Sequence, residues 1–507
     1  MECSGGGGAF GQHLPPGTPD ARKEVAVMRL PKVSDSRRCS FMISTFAGGI
    51  DQEPDEQCAR TDSSPEAYNV RTDNGALSRC TGFGAAKKYN AAAGRVLAVP
   101  ALPVQGDIFI YREKENDTLL LRAADGEYRE KYDADSDGLI FEKTSVLDCS
   151  GTTYAVNYQS DSGAELICGG PTQDMMRSTP LKTSVCEGSP RMYRAVIYAE
   201  RLFGVGNTLL PNRIYFSKQY QPSDFTVSAE AGGYIDVLPD YGSAVDIVTF
   251  GNSIYIFWQY GVTRLKAFGY QSDFVLSDCY RCSAEILRGT VQVCTDRIIF
   301  AAADGVYSFD GESVRKISRP VKSFFDSRTS KVTSACFRDC YYIAMYSPAY
   351  AGENANVLLK YDMHTAKWEL YVGPEVRQLF CISRSGQEQL MFLGAGNRLY
   401  AFDGSDSYDG SAINSKWVSP MNALGRPDML KRSRCVIIGA QGSGRLKLTL
   451  SSERGSACKH VVLGPERRIY RVPLRVLGQM LSLTVENDGG NDFTAAAPMV
   501  VFTAERV

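Results

Sequence analysis

The sequence predicts an all-β protein: a β-propeller of six to eight blades, best counted as seven, followed by a small C-terminal β-sandwich. Three observations lead there. The first is a hairpin pattern, clearest in CTDRIIFAAADGVYSFDGESVRKISRP from Cys294 to Pro320. A β-branched and aromatic run over Arg297 to Ala301 meets a turn at Asp304-Gly305. A second alternating run follows over Val306 to Phe309, closed by another turn at Asp310-Gly311. The second observation is recurrence. Comparable runs begin near Ile108, Tyr154, Leu202, Ile254, Ile298, Tyr341 and Met391, at intervals of about 43 to 52 residues, the spacing of propeller blades of four short strands. The third is that apolar residues hardly ever recur at i, i+3, i+4 and i+7 over a helix-length window, while alternation and Gly, Asp, Asn and Ser turns run throughout.

Taken in order, residues 1–38 carry Gly5 to Gly8, Pro15-Pro16, Pro19 and many charges, a composition too polar to offset the entropy of ordering. A flexible arm is expected there, with no basic segment and apolar core of a secretion signal. Residues 39–89 read as an extended, turn-rich lead-in packing on the propeller, with Asn74-Gly75 as a tight-turn dipeptide. The hairpin family occupies residues 90–425. A blade cannot cover both of its faces alone, and closing about seven of them into a ring hides those faces against neighbours. The texture changes near Pro420 to Pro427. Residues 426–507 then hold six strand candidates with charges alternating outward, which suits a small β-sandwich.

Composition bounds the function classes. A chain of 507 residues exceeds one compact core, and 56 Lys plus Arg against 57 Asp plus Glu gives no electrostatic reason to expect nucleic acid or an anionic membrane as the main partner. The longest apolar runs are strand-sized, so no membrane segment is expected. Fifteen scattered cysteines, an odd number, suggest reduced and mostly buried thiols rather than a disulfide framework.

The sharpest chemical signal is KYDADSDGLIFEK. Asp133, Asp135 and Asp137 alternate ahead of Gly138, an arrangement that can wrap oxygens around Ca²⁺, with Glu142 and the Leu139 carbonyl as further ligands. Phe141 and Thr144 stand where an EF-hand places its ninth and twelfth positions, so the alternative is a solvated acidic turn. No cofactor is required by the sequence; calcium is the one it admits. Cys279 and Cys282, with Cys336 and Cys340, form two cysteine pairs that adjacent blades could bring together around zinc or simply pack as thiols. Only His13, His364 and His460 are present, which argues against Ser-His-Asp or Cys-His catalysis. No phosphate-binding glycine loop is found. Trp258, Trp368 and Trp417, with 27 Tyr and 23 Phe, are either carbohydrate-stacking platforms or blade packing.

Four stretches together resemble bacteriophage tail proteins of the nozzle, or tail-hub, type (tail tubular protein B-like). They are FAGGIDQEPDEQ with EAYNVRTDNGALSRCTGFG in the lead-in, AERLFGVGNTLLPNRIYFSKQYQPSDF (Ala199 to Phe225), Thr295 to Val321, and SKWVSPMNALGRPDMLKRSRCVIIGA (Ser415 to Ala440). The resemblance covers about Ser40 to the C-terminus. It implies a non-enzymatic structural virion protein: a β-propeller subunit forming a cyclic homo-oligomer, a hexamer by family habit, around the channel through which DNA exits. It further implies contacts with other tail or portal-adaptor proteins, transient contact with exiting DNA, and assembly in the bacterial host cytoplasm before residence in the virion tail. Two other readings remain from the residues: a glycan- or host-surface-binding propeller, and a propeller hydrolase using paired carboxylates.

Overall fold

The computed structural model describes residues 37–43, 45–52, 61–113, 116–160, 163–228, 231–326, 332–347, 356–384 and 386–506. Its body is a seven-bladed β-propeller joined to a β-sandwich. Five blades are separate four-stranded sheets: blade 2 (Tyr154–Cys186), blade 3 (Arg194–Asp236), blade 4 (Ala244–Arg281), blade 5 (Gln292–Lys316) and blade 6 (Thr333–Val372). The other two share one eight-stranded sheet, joined among the described residues where Asn116 lies opposite Arg384. Blade 1 is the meander Gly106–Ser145. Blade 7 is built from Gln378–Arg384, Gln387–Leu393 and Leu399–Ala401, with Gly84–Ala85 from the lead-in as its outermost strand.

The first strand of each blade neighbours that of the next all the way round, so the ring closes. Side chains staple most of these junctions to backbone. Gln378 of blade 7 accepts from Ile108 N at 2.8 Å and donates to Ile108 O at 2.6 Å. Asn157 of blade 2 accepts from Arg112 N at 2.7 Å and donates to Ile110 O at 3.1 Å. Thr153 donates to Tyr193 O, Gln292 to Ser334 O, and Thr333 accepts from Leu379 N. Such bonds satisfy backbone groups at inner strands that lack a sheet partner on one side.

Second strands are covered on both faces. Arg201–Val205 and Ser253–Trp258 are buried at every residue, and Arg297–Ala302 at all but the first. That explains how the repeat is phased in sequence. Ile108 and Tyr154 lie in first strands, but Leu202, Ile254, Ile298, Tyr341 and Met391 lie in second strands. The preceding first strands of blades 3 to 7 are short or mix polar with apolar residues, so the doubly buried strand gives the stronger apolar run.

The sandwich packs two sheets about a core that includes Leu446, Leu448, Leu450, Leu483, Val485, Val436 and Phe502. Leu446, Leu448 and Leu450 alternate with outward residues along Arg445–Ser452, the period-2 pattern of a half-buried strand. Here the expected division of the chain needs correcting twice. The lead-in does not merely pack on the propeller: Arg37–Met42, Val70–Asp73 and Ala76–Arg79 join one sandwich sheet, and Glu66–Tyr68 the other. Lys416–Val418, inside the span assigned to the propeller, is also a sandwich strand, and Trp417 meets Phe46 edge-to-face at 4.7 Å. Three- and four-residue strands carry too little periodicity to be assigned without their partners. Of the expected arm, residues 1–36 lie outside the described residues, whereas Arg37 and Arg38 open the first strand.

Asn69 ties the sandwich to the ring. It is buried, at φ 55°, and its amide donates to Val372 O (3.0 Å) and Asn414 O (2.9 Å) while accepting from Val372 N (2.9 Å) and the Tyr408 hydroxyl (2.9 Å). All four hydrogen-bonding positions of the side chain are used. Among the described residues no helix is long and apolar enough to cross a membrane.

Candidate functional site

Where blades 6 and 7 meet the lead-in hairpin Lys87–Ala98, the body leaves a cavity of about 980 Å³. Blade 6 contributes Tyr342, Lys360, Glu369 and Tyr371, blade 7 contributes Arg384 and Phe402, and the hairpin contributes Lys88 and Tyr89. The strands place these groups by alternation: Lys360 lies opposite Glu369 in the ladder, so their side chains share one face.

Two ionic clusters line it. Lys360 Nζ reaches Glu369 Oε2 at 3.0 Å, and the Tyr371 hydroxyl donates to the same oxygen at 3.1 Å. Burial alone would lower the Lys360 pKa, but the adjacent Glu369 carboxylate more than offsets it and the ammonium is held above the ordinary lysine range. Burial raises the Tyr342 and Tyr371 hydroxyls, and pushes the Cys340 thiol nearby up to about 11. These shifts all move away from neutrality. The arrangement therefore fixes charges in place, which suits recognition or cohesion more than proton transfer.

In the second cluster Glu130 Oε2 receives Arg384 (2.7 Å) and Lys88 (3.1 Å). Its side chain is wholly covered, and Glu130 Oε1 and one Arg384 nitrogen have no hydrogen-bond partner in the protein. Asp117 beside it accepts from Arg112 at 2.9 Å and from Ser383 N at 2.6 Å. This cluster joins blade 1, blade 7 and the lead-in across the seam where the ring closes. It was not legible in the sequence, because Glu130 lies 42 positions from Lys88 and 254 from Arg384, and Asp117 lies 266 from Ser383, so only the closed fold brings them together.

The acidic turn of blade 1 is differently occupied than a calcium loop requires. Asp133 accepts from the backbone N–H groups of Asp135 (3.4 Å) and Ser136 (3.2 Å), closing the hairpin turn on itself. Asp137 is held by Arg95 at 2.5 Å and by the Tyr132 hydroxyl at 2.8 Å, and Glu142 by Lys131 at 2.9 Å. Leu139 is a strand residue opposite Tyr132 with its side chain in the blade core. With three of the carboxylates engaged by the chain itself, the set does not fit a Ca²⁺ cage. Among the described residues no group of three or more His, Cys, Asp or Glu is placed to hold a metal.

The cysteine pairs do not meet. Cys279 and Cys282 lie at the outer strand of blade 4 and just beyond it, while Cys336, in the inner strand of blade 6, neighbours Cys294 of blade 5. Their mutual hydrogen bond raises Cys294 and lowers Cys336. His364 is an exposed turn residue 3.3 Å from Asp339. The three tryptophans are buried: Trp258 donates to Thr263, Trp368 to Ile317 O, and Trp417 packs in the sandwich. They are packing residues, and the exposed aromatic surface is made of Tyr and Phe instead.

No protein-family model matches the chain, and no curated protein matches it. Among solved structures, the chain is similar to BBS1N, crystallised in complex with ARL6DN, at 10% identity and a TM-score of 0.39, over 60% of this chain and 95% of that one. It is also similar to the Neurospora crassa Pan2 WD40 domain, at 10% identity and a TM-score of 0.38, over 60% of this chain and 92% of that one.

Proposed function

We infer that this protein is a structural subunit of a bacteriophage or prophage tail, forming a cyclic homo-oligomer, six copies by family habit, around the channel through which DNA leaves. The observation that carries the reading is where the phage-like stretches fall. Ala199 to Phe225 spans the second and third strands of blade 3, Thr295 to Val321 the last three of blade 5, and Ser415 to Ala440 the sandwich strand Lys416–Val418 and most of Met429–Gly442. The phage-like lead-in supplies further sandwich strands. The resemblance thus runs through both halves of one knitted body, as expected of a subunit used as a rigid building block.

The physical account supports a mechanical role. A closed ring of blades exposes only short edges and does not deform readily, and a head-to-tail contact between such bodies closes into a ring when its rotation permits. Other tail or portal-adaptor proteins would dock on the faces of the ring, and exiting DNA would touch its lumen only transiently. The subunit would act without catalysis, be made in the bacterial host cytoplasm and reside in the virion. Negative-stain electron microscopy and light scattering on the full chain test this. Rings of about six copies with a central channel are expected; a monodisperse monomer at high concentration overturns the reading.

A further inference from the structure

Between blades 3 and 4 the rim of the propeller carries an open cleft of about 580 Å³ that neither the ring nor the sandwich uses. Its walls are Phe216 and Tyr234 from blade 3, and Tyr270, Gln271, Ser272 and Phe274 from the loop joining the last two strands of blade 4. Two of its aromatics face solvent rather than core: Tyr270 is 69% exposed and Tyr234 45%. Single exposed aromatics need no explanation, but a group sharing one cleft does.

The cleft is built rather than incidental. Phe274 packs edge-to-face on Phe216 at 5.3 Å, and Phe268 lies 5.1 Å from Tyr198, so the loop is anchored at both ends. The Arg213 guanidinium stacks 3.6 Å from the centre of the Tyr234 ring and is itself held by both oxygens of Asp236, at 2.6 and 2.8 Å. That clamp covers one face of Tyr234 and fixes the ring's orientation. Gln271 gives one amide N–H to Ser228 O at 2.9 Å, which orients the amide and leaves its carbonyl oxygen and second N–H for a ligand. At the floor, Gly233 keeps the space open: a Cβ there would come within 2.8 Å of the Phe216 ring and 3.2 Å of Gln271 Oε1.

We propose that this cleft is a binding site for a neutral carbohydrate, one or two pyranose rings in size. The lining side chains carry no charge, which disfavours phosphate, sulfate or ammonium ligands. A purely apolar anchor would have no use for the oriented amide and the Ser272 hydroxyl. A pyranose offers a C–H face for an aromatic ring and a rim of hydroxyls for the amide, and the volume is that of small-molecule sites. The proposal is independent of ring assembly and stands or falls without it.

Saturation-transfer NMR on the full chain, with maltotriose, cellotriose, galactobiose and the trimer of N-acetylglucosamine as probes, tests it. At least one sugar should receive saturation, with Tyr270→Ala weakening its binding roughly three- to tenfold, the worth of one stacking contact. Gln271→Ala should weaken the same sugar, whereas Ile469→Ala, an exposed side chain on the sandwich, should leave it unchanged. Tyr270 is solvent-facing, so Tyr270→Ala should not move melting. Transfer to none of the four sugars overturns the proposal. So does binding that Tyr270→Ala and Gln271→Ala leave intact, or a Tyr270→Ala variant whose only defect is self-association, which would assign the cleft to a second copy of the chain.

Discussion

Glu127 sits at the seam between blades 1 and 2, with its side chain and that of Arg122 both fully covered and 2.6 Å apart. Its other oxygen accepts from the hydroxyls of Ser178 (2.6 Å) and Thr183 (3.1 Å). Burial by itself would raise this carboxyl, but Arg122 and the two hydroxyls outweigh it and the folded-state pKa lies below the ordinary glutamate value. Removing one partner of such a pair strands the other, so Glu127→Ala should cost about 3–5 kcal/mol in urea unfolding. Replacing both residues with apolar ones, Arg122→Met with Glu127→Leu, should cost clearly less. Because the folded pKa is depressed, the contribution is complete above the unfolded value of about 4.3 and disappears as pH falls through the lower folded one. Stability of the native chain should therefore decline below about pH 4.3 more steeply than that of Glu127→Gln; equal slopes would remove Glu127 from the account. Nothing in the sequence marks this pair, since Arg122 and Glu127 read as ordinary alternating charges of a hairpin until the neighbouring blade covers them.

At the scale of elements, turn chemistry was the most legible feature. Gly305 adopts φ 144° and Gly311 φ 100°, values that favour glycine, and Asp310 accepts from the backbone N–H groups of Glu312 and Ser313 at 3.0 and 2.7 Å. Asp304 binds Tyr307 and Lys316 rather than solvent alone. Apart from Lys316, which lies 12 positions from Asp304, these are local devices set by residues within a few positions of one another. The same local logic governs Asp133 to Gly138, where the alternating carboxylates suggested calcium but the turn, Arg95, Tyr132 and Lys131 take three of them up. Arg95 is the deciding residue, and it comes from a lead-in hairpin whose position the sequence does not reveal. Adding millimolar calcium, or removing it with EGTA, is accordingly expected to leave the melting temperature unchanged; a rise of several degrees in calcium would restore the metal reading.

At the scale of the whole molecule, the first described segments of the chain and its last ones are interleaved. Gly84–Ala85 completes blade 7, and four lead-in strands complete the sandwich, one of them pairing Arg37–Met42 with Met499–Arg506. Neither half is then a closed unit without residues 37–89. A chain beginning at residue 90 should be insoluble or lose cooperative thermal unfolding, and residues 426–507 expressed alone should show no dispersed NMR spectrum. A well-folded product from either truncation would show that the lead-in decorates the body rather than completing it. The expected cost is large because the lead-in contributes buried Phe46, Leu77 and Asn69 as well as strand edges.

What the sequence determined by itself was the strand-rich class, the hairpin as building unit and a period that counts seven blades, because alternation and Asp-Gly turns depend only on near neighbours along the chain. Tertiary structure alone decided which strands share a sheet across some 400 residues, where the ring is sealed, and which charges and aromatics converge on the blade 6–7 cavity and the rim cleft. Those pairings depend on burial on both faces and on loop closure, and neither leaves a periodic trace in the sequence.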